Sequence, residues 1–203
     1  MLRIHGRSGF LVSEIGQYLA QVEYAYNSLY TLEAFIDVVE RSSRSWLIPY
    51  GFGAFWGLPL FPQGRTRFLV SWPPTPETVA PVVPPRDRLL LKAVNLESPG
   101  FWDFMGTRNP LEVIRHYLNY NHEQRRARQY REMAEARRLA LENSLLENRV
   151  IRERIEIARG LGATDHDLAP LLNEFIYRPL RELDRAQDEG LADGAEFIER
   201  PRA

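Results

Sequence analysis

The chain contains no cysteine and a single lysine among its 203 residues. The first absence excludes disulfides, cysteine-ligated zinc, iron–sulfur clusters and thiol catalysis, and it makes a cytoplasmic setting the expectation. The second weighs against phosphoryl-transfer chemistry. Lys92 stands in Leu-Leu-Leu-Lys-Ala-Val with no glycine-rich loop, no His-Arg-Asp and no Asp-Phe-Gly elsewhere, so neither a kinase nor a P-loop is supported. It reads as an edge or solvent-facing charge. No uncharged apolar stretch reaches the ~18 residues of a membrane span, and Met1–Gly6 lacks the apolar run of a signal peptide.

A third absence is local. Between Leu111 and Arg159, 49 residues pass without proline or glycine. Asn109 as N-cap, Pro110 at the first helical position and Glu112 just beyond form a helix-start signature, and Gly160 sits where a C-cap would. The expectation is mainly one helix of roughly 75 Å, bent or paired in its Arg-rich middle. Its start is apolar (Leu111, Ile114, Tyr117, Leu118). Its middle is polar, and Leu139–Ile157 becomes amphipathic again.

What is present defines a globular protein. Apolar residues make up 44 %, enough for a core. The 26 basic and 27 acidic residues nearly cancel, which argues against a whole-chain nucleic-acid binder. The charge is unevenly placed: residues 109–160 hold 11 Arg against 8 Glu, and residues 165–203 hold 10 acids against 5 Arg. A basic middle and an acidic tail can attract each other or two partners.

Ahead of the long run, Leu2–His5 reads as a strand. A helix follows with Ser13 as N-cap and a seam of Ile15, Tyr18, Val22, Ala25, Leu29, Leu32, Ile36 and Val39. Leu19, Tyr26, Tyr30 and Phe35 widen that face beyond a dimer seam. Arg67–Trp72 alternates like a strand, Pro73–Pro85 reads as an extended crossing without helix, and Leu89–Leu96 is the best strand candidate. Phe101–Met105 reads as one helical turn. A further helix runs from Thr164–Asp167 toward Glu189, kinked or split at Pro179. The fold class expected is α+β. Residues 1–108 form a small unit of a helix on a few strands, 109–190 hold the long helix and a C-terminal helical hairpin, and 191–203 form a frayed acidic tail.

No catalytic, cofactor or metal motif survives inspection. Gly51–Gly57 carries one residue too many for a dinucleotide fingerprint, and Pro59 follows where a helix should start. Gly6-Arg7-Ser8-Gly9 lacks the spacing of a nucleophile elbow. His5, His116, His122 and His166 show no metal spacing, and Asp165-His166-Asp167 reads as a helix cap. Tyr50, Phe52, Phe55, Trp56 and Phe61 either complete the core or form a loop that docks on a partner or a membrane interface. Arg125, Arg126, Arg128 and Arg131 could make weak, nonspecific phosphate contacts, although neighbouring glutamates suit a solvated helix face better.

Two segments carry a resemblance. Val94-Asn95-Leu96-Glu97-Ser98-Pro99-Gly100-Phe101-Trp102 followed by Asn109-Pro110-Leu111-Glu112, together with Ala25-Tyr26-Asn27-Ser28-Leu29-Tyr30, is similar to uncharacterised bacterial proteins in which a strand ends in Ser-Pro-Gly and leads into a long charged helix. Such proteins are often encoded in defence or conflict gene clusters. The resemblance spans roughly residues 10–160 and implies an interaction module without catalytic residues. The function expected is therefore non-enzymatic assembly, as a homo-oligomer or with a protein partner, through Leu141, Leu145, Leu146, Val150, Ile151 and Ile155. A membrane-acting effector using residues 50–61 is the alternative, and a hydrolase with an unrecognised carboxylate site stands behind it.

Overall fold

In the computed structural model the residues described are 1–6, 10–41, 75–97, 99–126 and 142–199. Its architecture is α+β. Strands β1 (Leu2–Gly6), β2 (Leu90–Asn95), β3 (Gly100–Met105) and β4 (Ala195–Phe197) form an antiparallel sheet in the order β2-β3-β1-β4. Helix α1 (Val12–Arg41) lies against one face, its Tyr18 ring 5.4 Å from that of Trp102. The period of two explains the sheet's sidedness. Leu2, Ile4, Trp102 and Phe104 are buried toward α1. On the other face Arg3 makes two 2.8 Å hydrogen bonds to Asp103, its direct cross-strand partner.

Helix α1 is most completely buried in its middle, while its first half keeps an exposed face at Ser13, Gly16, Gln17, Ala20 and Glu23. Its seam residues Tyr18, Val22, Ala25, Leu29, Leu32 and Ile36 are core, and every residue from Tyr24 to Leu29 is buried. That demands neighbours on several sides, beyond what a two-helix seam offers. The helix begins two residues earlier than an N-cap at Ser13 would place it. Leu11 precedes its first turn, and the Glu14 carboxylate reaches back to accept the Leu11 amide at 2.8 Å.

Two segments differ from expectation. Residues 75–87 are not an extended crossing: α2 (Pro76–Val79) and 3₁₀ turns at Ala80–Val82 and Pro85–Asp87 bury Val79, Val82 and Val83. Their prolines sit at first-turn positions, where no amide is needed. Phe101–Met105 is a central strand instead of a helical turn, because pairing to both β1 and β2 satisfies its backbone on two sides.

The long run after Asn109 is divided. Helix α3 (Arg108–Arg126) is followed, beyond the undescribed 127–141, by helical residues 142–147 (α4) and then by α5 (Arg149–Gly160). Asn148 adopts extended ψ, and its side chain accepts the Val150 amide at 3.0 Å, so it caps α5 and breaks the run. The chain also folds back. His116 and Ser144, 28 residues apart, are hydrogen-bonded at 2.8 Å, where one straight helix would separate them by roughly 42 Å. Leu145, Val150, Ile151 and Ile155 consequently lie in the chain's own core, and only Leu146 of the described interface candidates is exposed. Leu141 falls outside the described residues. Folding back onto α1 meets the apolar demand that suggested a partner at this face.

The C-terminal helices follow the sequence closely. Thr164 and Asp167 form a capping box on α6 (Asp165–Leu172). One turn of π-helix (Asn173–Tyr177) precedes α7 (Arg178–Glu189), which carries Pro179 in its first turn, and Gly190 closes α7 in the left-handed conformation. Residues 191–199 are not frayed. Leu191 and Ala192 are buried, β4 pairs with β1, and Asn119 of α3 bonds both the amide and the carbonyl of Ala195. Nor does the division at 108/109 separate two cores, because one cluster runs from Leu2 to Ala195.

Two expectations follow. Asn148→Ala removes the cap of α5 and is expected to cost about 1 kcal/mol in denaturant unfolding. A chain ending at Gly190 loses an edge strand and the Trp102–Leu191 hydrogen bond. It is expected to melt well below the full chain, whereas an unchanged melt would mean that the tail contributes nothing.

Candidate functional site

The cleft of about 490 Å³ between the starts of α3 and α5 is lined by Arg108, Asn109, Glu112, Arg115, Asn148, Arg149, Val150 and Phe197. Three elements distant in sequence build it. Arg108 is the first residue of α3 and Arg149 the first of α5. Phe197 comes from β4, and its ring centre lies 5.9 Å from the Arg108 guanidinium carbon and 5.3 Å from that of Arg115. At these distances the ring attracts both cations and orients them along one wall.

The electrostatics here run against the usual helix preference. A helix N-terminus carries partial positive charge and favours Asp or Glu, each worth about 0.3–1 kcal/mol. Neither α3 nor α5 has an acid in its first turn, and each begins with arginine. Glu112, further along α3, is taken up by Arg115 at 2.5 Å. The Arg115 Nε is nevertheless buried without an acceptor, a cost of about 1–3 kcal/mol if nothing else supplies one. Arg149 reaches Glu153 only at 3.7 Å, with both side chains mostly in solvent, so that pair contributes little. Arg108 has no carboxylate partner among the described residues. A cleft with three guanidiniums, two helix N-termini and one neutralising carboxylate is built to receive negative charge.

A second cluster has a structural role. Arg154 of α5 pairs with Asp37 and, at 3.8 Å, with Glu33 of α1, beside an apolar cavity of about 30 Å³. The Glu33 Oε1 is buried and lies too far from Arg154 to be hydrogen-bonded. Burial raises the Glu33 pKa, partly offset by the Arg154 charge and by the Asn109 amide. This ion pair bolts α5 onto α1.

The residues singled out in the sequence fall elsewhere. Tyr50, Phe52, Phe55, Trp56 and Phe61 lie outside the described residues, as do Arg128 and Arg131. Arg125 and Arg126 end α3, with side chains outside the description. Lys92 is exposed on edge strand β2 beside a register shift between Leu91 and Ala93, as expected of a charge that guards an edge. His116 binds the Ser144 carbonyl and hydroxyl, and Asp167 caps α6. Among the described residues no group of three His, Asp or Glu could hold a metal ion, and no helix is long and apolar enough to cross a membrane. Arg108, Arg115 and Arg149 drew no attention in the sequence. The signal available was arginine at two helix starts, legible only once Asn148 is recognised as a cap.

The buried acid yields a pH expectation. Because the folded state raises the Glu33 pKa above 4.5, folding is favoured by its protonation. That contribution is full below the unfolded value and is lost as pH rises through the elevated one. Glu33→Gln removes the titration. In urea melts across this range, wild type is expected to lose stability relative to the variant as pH rises; a constant difference would contradict the assignment.

Comparison with known protein families, with curated proteins and with solved structures gives no match to this chain.

Proposed function

We propose that this is a non-enzymatic interaction protein that docks an acidic segment of a protein partner in the cleft between α3 and α5. The observation that carries the reading is the pair of arginines, Arg108 and Arg149, at helix starts where acids are preferred and none is present. Two cations placed against the dipole cost stability that an anionic partner would return on binding, and such a conflict with local preference is characteristic of functional positions. The adaptor role expected from the sequence is thus kept, with its docking surface moved from the face around Leu145 and Ile151 to the arginine cleft.

The reading makes a two-sided prediction. Charge reversal at Arg108 and Arg149 to Glu should raise thermal stability, by about 0.3–1 kcal/mol for each site. The same double variant should bind a hexaglutamate peptide at least tenfold more weakly in calorimetric titration at low salt. Wild-type affinity should fall as salt rises, since the contacts are between charges. Equal peptide binding by wild type and double variant, or a variant that is simply unfolded, would contradict the proposal.

A further inference from the structure

The cleft's charge and shape specify its ligand more closely than acidity alone. We infer that the group it takes is a phosphate monoester, carried as phosphoserine or phosphothreonine on the partner segment; this rests on the docking role proposed above. The first argument is charge. Three lining arginines against the single lining acid Glu112 leave a net +2. One carboxylate would neutralise half of that, whereas a phosphoryl group carries about −1.5 to −2 near neutral pH.

The second argument is geometry. The cations approach from two different helices, Arg108 and Arg115 from α3 and Arg149 from α5. A tetrahedral phosphate presents three oxygens to donors arriving from separate directions, while a planar carboxylate presents two in one plane. Phe197 holds Arg108 and Arg115 against one wall, so those two forks are preorganised and lose little entropy on binding. Arg149, with a side chain 80 % exposed, is the one left free to close over the ligand.

The third argument is which donors remain. Pro110 has no amide to offer at the start of α3, and the Val150 amide of α5 is already bonded to the Asn148 side chain. That takes one amide away from each helix start, and the guanidiniums supply the forked contacts to which arginine is suited with phosphate. Arg115 Nε, buried without an acceptor, belongs to the same guanidinium that Glu112 holds by its other nitrogen.

The test uses the full-length protein, isotopically labelled, and three otherwise identical tripeptides: Ala-phosphoserine-Ala, Ala-Glu-Ala and Ala-Ser-Ala. Amide shifts of Arg108, Asn109, Leu111 and Glu112 and of residues 149–152 report occupancy. The phosphoserine peptide is expected to bind about tenfold more tightly than the Glu peptide at about pH 7.5. It should lose most of that advantage at about pH 5, where its phosphate becomes a monoanion. The Ser peptide should leave the amides unmoved, and Arg149→Gln, at an exposed position, should abolish the phosphate preference without unfolding the chain. If the Glu and phosphoserine peptides bind equally at both pH values, the phosphate inference fails and the docking role stands. If neither peptide moves these amides, both fail. If a short oligothymidylate moves them and neither peptide does, the cleft is a nucleic-acid contact and the inference is overturned.

Discussion

The structure is organised by the need to bury the middle of α1 on every side. A 30-residue helix with an unbroken buried stretch from Tyr24 to Leu29 cannot be satisfied by one neighbour. The sheet covers one side through Trp102. The 3₁₀ turn at Pro85–Asp87 and the start of α3 are tied to it by the Tyr26 hydroxyl, which donates to the Asp87 carbonyl and accepts from the Thr107 amide at 2.8 Å. Helix α5 is bolted on through Arg154, and α7 and the π turn complete the cover. Enclosing a helix with several short elements forces the chain to reverse often. That requirement, together with the Asn148 cap, divides the long glycine- and proline-free run.

Enclosure also determines where the chain ends meet. Asn121, Gln187 and the Leu118 carbonyl form a buried hydrogen-bonded chain between α3 and α7, and Gln187 also donates to the Asp193 carbonyl. With residues 191–193 fixed in this way, β4 is delivered to the free edge of β1. Its Phe197 then stands beside Arg108 and Arg115. The cleft is thus a by-product of closing the sheet with the last strand. Of its cations only Arg115 is closely paired, with Glu112, while Arg149 meets Glu153 loosely, in keeping with the rule that sites tend to sit where local preferences are violated.

How much of this was legible depended on whether the signal was local. The described part of the α1 seam, β1, β2 and the helix start near Thr164–Asp167 announce themselves within a few residues, and all are present. The central strand was missed because Gly-Phe-Trp-Asp-Phe-Met reads as a strand only when Asp103 is known to face Arg3 across the sheet. The break at Asn148 was missed because asparagine inside a helical run is tolerated until tertiary contacts reward a cap. The tail reads as frayed because it is the chain's end after Gly190, while its anchors, Leu191, Ala192 and Ala195, are the smaller signal. The cleft could not be read at all, since it joins positions 108–115, 148–150 and 197.

The central claim is that one chain, folded back between α3 and α4, assembles the cleft by itself. The protein has no cysteine, so a pair can be introduced without interference. His116→Cys with Ser144→Cys, treated with a short bifunctional thiol reagent, should give a cross-linked monomer in high yield, because these positions are in hydrogen-bond contact. A continuous helix would hold them roughly 42 Å apart. No intramolecular cross-link, or a cross-link that joins two chains, would contradict the account.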